Sequence, residues 1–226
     1  MDLDNKNFKE QFYLILTGIF IASLVAGNLI FQKFFTWNFL GINFELSVGI
    51  IAYPVTFLVT DLISELYGQK RANQVVVSGF FASVFTTLLV LISVNATAVH
   101  WSPIDNVTFT KVFGLTGPAF FASMVAYLTA QLIDVRIFHF WKRLTKGKYL
   151  WLRNNASTMF SQLVDTSVIL IILCSVGVIE WERFYSLWMM GWLFKVLIAL
   201  IDTPIIYFAL WALKDKIEPT SYLEES

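Results

Sequence analysis

The chain has 226 residues, 57% of them hydrophobic, 17% aromatic and only 14% charged, where a soluble domain carries roughly 25% charged residues. Mean hydropathy is +0.67 and the formal net charge is zero, which removes bulk electrostatics as a route to a nucleic-acid partner. The single cysteine, Cys174, lies in an apolar run with no second cysteine to pair with, so it reads as a small buried hydrophobe in an integral membrane protein.

A helix needs roughly 20 mostly apolar residues to cross the hydrocarbon core of a bilayer. The first such run is Gln11 to Gln32, which contains no charge and is too long for a signal-peptide core. The second is predicted over about Leu46 to Leu66, the third over Asn73 to Val94, and the fourth over Pro118 to Phe140. The fifth runs from about Ala156 to Val178 and the sixth from Leu187 to Leu213. The expected fold is all-α and polytopic, six transmembrane helices in one bundle. A leader at 1–10 precedes the transmembrane domain at 11–213, and a polar tail follows at 214–226. Gly18, Ala22 and Ala26 mark one face of the first helix, read as intramolecular packing rather than a dimer seam; the oligomeric state is left open.

Lys and Arg are divided unequally between the loops. Eleven (Lys6, Lys9, Lys70, Arg71, Lys142, Arg143, Lys146, Lys148, Arg153, Lys214 and Lys216) flank one side, and three (Lys33, Lys111 and Arg183) flank the other. The excess of cations predicts that both termini are cytoplasmic and that the loop holding Trp101, Pro103 and Asp105 faces outward.

Asp61, Asp134, Asp165 and Asp202 fall inside the predicted spans, with Glu65 and Arg136 nearer their ends and Lys195 in the sixth. Each ionised residue near mid-span opposes insertion by about 2.5–3.5 kcal/mol, which is tolerated when it faces the bundle interior or a wet cavity. Spacing supports an interior face. Asp61 and Glu65 are four apart, Gln131 and Asp134 three apart, and Gln162 and Asp165 repeat that interval. QLID at 131–134 echoes QLVD at 162–165, and VDTS at 165–168 shares its DT with IDTP at 202–205, as an inverted repeat of three spans would produce.

Structural alternatives stand beside a polar cavity: Asp134 with Lys195, Asp61 or Glu65 with Lys70 or Arg71, and Lys195 with Asp202 seven residues on as a buried ion pair holding the last helix. Arg153, Asn154 and Ser157 open the fifth helix, where they act as gate residues or where Asn155, Ser157 or Thr158 is its N-cap. Pro54 and Pro204 fall within predicted spans, marking either a packing kink or a break beside a site.

The chemistry excludes several classes. His100 and His139 are far apart and no HExxH or GxSG pattern occurs, so neither a zinc site nor a serine nucleophile is indicated. No P-loop is present, hence no intrinsic ATP hydrolysis. No enzyme activity, cofactor or metal is expected. A carrier, a channel or the membrane part of a larger transporter remains.

TDLISELYG (60–68), AQLIDVRIFHFWK (130–142) and WLRNNASTMFSQLVDT (151–166) resemble the queuosine precursor transporter family, of the vitamin-uptake-transporter group of six-span bacterial inner-membrane proteins. The resemblance runs from the second span to the sixth. It implies import of 7-cyano-7-deazaguanine, with 7-aminomethyl-7-deazaguanine as a second candidate, for tRNA queuosine salvage. Partners are then the small-molecule deazapurine and the lipid bilayer, with no nucleic acid. A deazaguanine presents an N–H beside an exocyclic amine, which a carboxylate accepts and an amide complements. Gln131, Asp134, Gln162 and Asp165 are therefore expected as substrate-edge readers, followed by Asp61 and Glu65, which bind substrate, gate its exit or relay a proton. Tyr53, Tyr67, Tyr127 and Trp192 are candidate stacking surfaces. The alternative is a substrate-binding membrane subunit of an energy-coupled vitamin or nucleobase uptake system.

Overall fold

The computed structural model describes residues 3–31, 33–39, 41–114, 117–175, 177, 179–213 and 217. Along them run α1 (Leu3–Ile30), β1 (Phe34–Phe39), β2 (Ile42–Ser47), a 3-10 turn (Val48–Ile51), α2 (Tyr53–Tyr67), α3 (Gln69–Asn95), α4 (Asn106–Phe113), α5 (Gly117–Leu144), α6 (Leu150–Ser175) and α7 (Trp181–Leu213). The predicted tail at 214–226 and the first two residues of the leader lie outside the description, Ile217 excepted.

Among the described residues, five segments are long and apolar enough to cross a membrane: Asn7–Ile30, Val48–Tyr67, Gln69–Asn95, Leu150–Ser175 and Trp181–Leu213. The predicted fourth span corresponds to α5, whose 28 residues reach about 42 Å at 1.5 Å per residue. Its composition is less apolar, because Asp134, Arg136, Lys142 and Arg143 all lie in its second half. The surface is that of a multi-pass membrane protein. Phe81, Phe85, Leu88 and Ile92 form an exposed stripe on α3, and Ile201, Ile205, Phe208 and Trp211 are exposed on α7. Asp61, Gln131, Asp134, Gln162 and Asp165 are buried. Lipid needs no polar covering, and buried polar groups need one another.

Helix α2 sits at the centre, packed against α1, α3, α5 and α7, while α5, α6 and α7 pack side by side. Ten of its fifteen residues are buried, including Thr56, Thr60, Asp61, Ser64 and Glu65. Close helix approach depends on glycine at two places. A Cβ at Gly79 of α3 would stand 2.5 Å from the Phe20 ring of α1, and one at Gly49 in the 3-10 turn would stand 2.8 Å from Phe31 Cβ and 2.9 Å from the Gly27 carbonyl oxygen. The end of α1 is thereby pressed against the entry to α2.

Four expectations need correction. The second span does not begin as helix at Leu46: residues 34–47 form an antiparallel hairpin in which Phe39 faces Ile42, turned at Gly41 with φ +81°. The alternation INFELS buries Phe44 and Leu46 and exposes Asn43 and Glu45, the two-residue period of a half-buried strand. The hairpin packs on Phe194 of α7. Pro54 therefore falls in the first turn of α2, where its missing N–H costs no helical hydrogen bond; Pro204 does lie inside α7.

The fifth helix begins at Leu150 rather than Ala156, so Asn155, Ser157 and Thr158 are interior residues and not caps. Asn155 Nδ2 instead donates to Thr203 Oγ1 of α7 at 2.7 Å. The small-residue face of α1 is exposed at Gly18, Ala22 and Ala26, with nothing within 4 Å of a Cβ built on Gly18, so it is not an intramolecular seam. In the loop after α3, Asp105 caps α4 through the Thr108 amide at 2.7 Å, and that bond holds its carboxyl below the ordinary carboxylate range.

Candidate functional site

The inner faces of α2, α5, α6 and α7 build one polar column, because each carries polar residues about one to two turns apart on its inward side. On α2 these are Tyr53, Thr60, Asp61 and Glu65; on α5, Tyr127, Gln131, Asp134 and Lys142; on α6, Asp165, Gln162, Ser161, Thr158 and Arg153; on α7, Lys195 and Asp202. Tyr53 and Glu65 are twelve residues apart on one helix, so the two ends of the column are separated by about 18 Å.

At the hairpin end, Asp165 is fully buried and doubly engaged. Lys195 Nζ donates to its Oδ2 at 2.8 Å, and Tyr53 Oη donates to the same oxygen at 2.5 Å. Lys195 also donates to Thr166 Oγ1 at 3.0 Å and lies 4.5 Å from the centre of the Tyr53 ring. The pairing expected between Lys195 and Asp202 is thus not made, nor is the alternative between Lys195 and Asp134. A single ammonium goes to the nearest carboxylate across the helix interface, not to one two turns along its own helix.

Beside this cluster is a narrow cleft lined by Ile50, Tyr53, Pro54, Phe57, Thr158, Gln162, Phe194, Lys195, Ile198, Ala199 and Asp202. The space left between its walls is only about 20 Å³, room for a water-sized group, so a larger solute requires the walls to part. Apolar walls come from α2 and α7, with Tyr53 tilted against Phe57 at 5.6 Å between ring centres. Gln162 is 2% exposed and its Oε1 has no hydrogen-bond partner among the described residues. Asp202, 8% exposed, makes no ion pair there either.

Deeper in, Gln131 is closed off: its Nε2 donates to Tyr127 Oη at 2.7 Å and its Oε1 accepts from Thr60 at 3.4 Å. Asp134 accepts from Ser161 Oγ at 2.8 Å, and the carboxyl of Asp61 faces that of Asp134. The two Gln–Asp pairs that look alike in sequence therefore have different surroundings, and only Gln162 reaches the cleft.

At the far end, Glu65 is held by Arg153 at 2.5 Å and by Lys142 at 3.6 Å. Arg153 is also tied to the Gly147 carbonyl at 2.7 Å and lies 5.4 Å from the centre of the Phe138 ring. The partners expected for Glu65, Lys70 or Arg71, are not used; Arg71 makes a two-point pair with Glu10 of α1. Asn154 donates to Thr203 at 3.2 Å and Ser157 to the Asn154 carbonyl at 3.1 Å.

Of the candidate aromatics, Tyr53 lines the cleft and Tyr127 meets it edge-on at 5.6 Å. Tyr67 lies at the far end, donating to the Lys9 carbonyl. Trp192 donates to the Met159 carbonyl and stacks on Trp188. Phe57 and Phe194 line the cleft without having been singled out. Phe57 lies midway between Tyr53 and Asp61 at four-residue steps, a signal available in the sequence; nothing in the sequence marks Phe194.

The family model described as "Putative vitamin uptake transporter" matches residues 47–209. A "Probable queuosine precursor transporter" of Bacillus subtilis is 27% identical over 164 residues, covering 72% of this chain and 71% of the relative. One of the same printed name from Haemophilus influenzae is 28% identical, covering 70% and 66%. The "Queuosine precursor transporter" of Escherichia coli is 25% identical over 200 residues, covering 87% and 84%. No solved structure matches the chain. The family match spans most of the chain, and the chain belongs to the vitamin uptake transporter family.

Proposed function

We propose that this family member imports queuosine precursors across the bacterial inner membrane, with 7-cyano-7-deazaguanine as substrate and 7-aminomethyl-7-deazaguanine as a second candidate. The names of the three relatives support the substrate class. Within the chain, the observation that carries the reading is the cleft, where the buried amide oxygen of Gln162 has no partner among the described residues and stands near aromatic walls. Burying an unpaired amide is unfavourable by roughly 1–3 kcal/mol, a cost that a bound polar solute would remove. Parting of these apolar walls would admit a flat heterobicycle, for which Tyr53 and Phe57 in the lining are the candidate stacking surfaces.

In this reading α5 completes six spans and both termini are cytoplasmic. Arg71, Lys142 and Arg153 gather at the end of the column away from the hairpin, in line with the excess of cations expected on that side. The cleft then belongs to the outward half. The route inward passes Gln131, Asp61 and Asp134, and the Glu65–Arg153–Lys142 cluster closes it toward the cytoplasm. Import requires that cluster to open while the hairpin side closes, the alternation expected of a carrier.

The test is tRNA queuosine in cells that neither make its precursors nor have an importer of their own, with this chain added and 7-cyano-7-deazaguanine supplied at low concentration. Restored queuosine is the expected result. Its absence, with the protein present in the membrane, would overturn self-sufficient import; recovery on adding a shared energising module would identify the chain as a substrate-binding subunit instead.

A further inference from the structure

Along the cleft, Gln162 Oε1 and Thr158 Oγ1 of α6 are buried without a hydrogen-bond partner among the described residues, and across from them Asp202 of α7 is a carboxylate without a cation. The Asp202 side chain of α7 makes no ion pair and no hydrogen bond among the described residues, although the nearest ammonium on its own helix, Lys195, borders the same cleft. That ammonium is committed to Asp165 and Thr166. Gln162 of α6 is likewise unpartnered at Oε1. Asp165, by contrast, is fully buried, shares one oxygen with Lys195 and Tyr53, and is not part of the cleft lining.

We propose that Asp202 and Gln162, not Asp165, form the specificity pair of the cleft, reading a solute that carries two adjacent N–H donors beside a carbonyl. The assignment deepens the transport reading above and rests on it. Two parallel N–H groups, one in a ring and one exocyclic, match the two oxygens of a carboxylate in the way a guanidinium does. The adjacent ring carbonyl is an acceptor, which the Gln162 amide satisfies through Nε2, and the orphaned Oε1 accepts a remaining N–H of the solute. Asp165 acts as a positioning residue: it fixes the Lys195 ammonium and the Tyr53 ring at the rim, so the negative charge of Asp202 stays uncompensated until a donor edge arrives. A site built this way rejects an analogue without the exocyclic amine, because one carboxylate oxygen would be buried unpaired.

The experiment measures equilibrium binding to the purified full chain in detergent, using 7-cyano-7-deazaguanine and the same compound without its 2-amino group. Wild-type protein is expected to favour the amino compound by about 10–100-fold, the range of a hydrogen bond to a charged group. Asp202→Asn is expected to bring the two affinities within about threefold while retaining the desamino compound, which reports an intact fold. Asp165→Asn is expected to weaken both compounds together and to leave their ratio unchanged. A preference that survives Asp202→Asn would overturn the assignment of Asp202 and leave the transport reading standing. Loss of both compounds in Asp202→Asn would overturn it as well, as a sign of a structural role. Wild-type protein that binds neither compound would overturn both readings.

Discussion

The two ends of the polar column are built from similar residues and reach opposite results. At the Glu65 end a carboxylate meets two cations, Arg153 and Lys142, and Arg153 is further anchored to a loop carbonyl. At the hairpin end two carboxylates share the neighbourhood of one ammonium, and Lys195 goes to Asp165. Asp202 is left over. Surplus cation gives Glu65 two partners and surplus carboxylate leaves Asp202 with none, so counting charges across helices distinguishes the two ends where burial does not.

Breaking the closed end should have the largest effect. Arg153→Met leaves Glu65 with Lys142 alone in a dry interior, and removal of one partner of a buried pair destabilises by about 3–5 kcal/mol. A thermal unfolding midpoint well below wild type in detergent is expected, together with loss of uptake. The double substitution Glu65→Gln with Arg153→Met should regain much of the stability without regaining transport, if the pair works as a closure rather than as a brace. An unchanged midpoint in Arg153→Met would show the pair to be energetically idle.

Asp165→Asn tests the hairpin end. It leaves Lys195 buried beside a neutral amide, and because Lys195 keeps Thr166 and some exposure (its side chain is 13% exposed) the loss should be smaller, about 2–3 kcal/mol. Uptake assays at graded substrate concentration should show weaker apparent affinity.

Gly49→Ala sharpens the comparison from the backbone side, since the new Cβ meets Phe31 and the Gly27 carbonyl at the entry to α2. Overpacking of this kind costs about 1–3 kcal/mol, and it should displace the hairpin from Phe194, read as altered tryptophan fluorescence from Trp37. The smallest effect is expected from Glu10→Gln. The Glu10–Arg71 pair has side chains 50% and 36% exposed, and exposed pairs contribute about 0–1 kcal/mol and weaken with salt. A midpoint shift as large as that of Arg153→Met would erase the distinction between the two kinds of pair.

Much of this architecture was legible in the chain. The apolar runs place the ends of α1, α3 and α7 within about two residues but their starts late, Gln11 for Leu3, Asn73 for Gln69 and Leu187 for Trp181, and intervals of three and four put Asp61 with Glu65 and Gln162 with Asp165 on inward faces. The hairpin was legible too, in the alternation of INFELS and the glycine at 41, but a run of apolar residues beginning at Leu46 read equally as the start of a span. The start of α6 is hidden for a related reason: Trp151 to Asn155 looks polar enough for a loop, yet Arg153 pairs with Glu65 of α2 and Asn154 and Asn155 donate to Thr203 of α7.

The sequence by itself determined that the chain is a membrane bundle with an ionisable interior, because hydropathy and helical period are properties of one segment at a time. It also held the motifs of the family. Only the tertiary structure decided which carboxylate meets which cation. Pairing depends on the axial register and rotation of neighbouring helices, and spacing along one helix carries no information about either. Asp165 and Asp202 stand in nearly the same local sequence, DT in both cases, and differ because Lys195 lies across from one and not from the other.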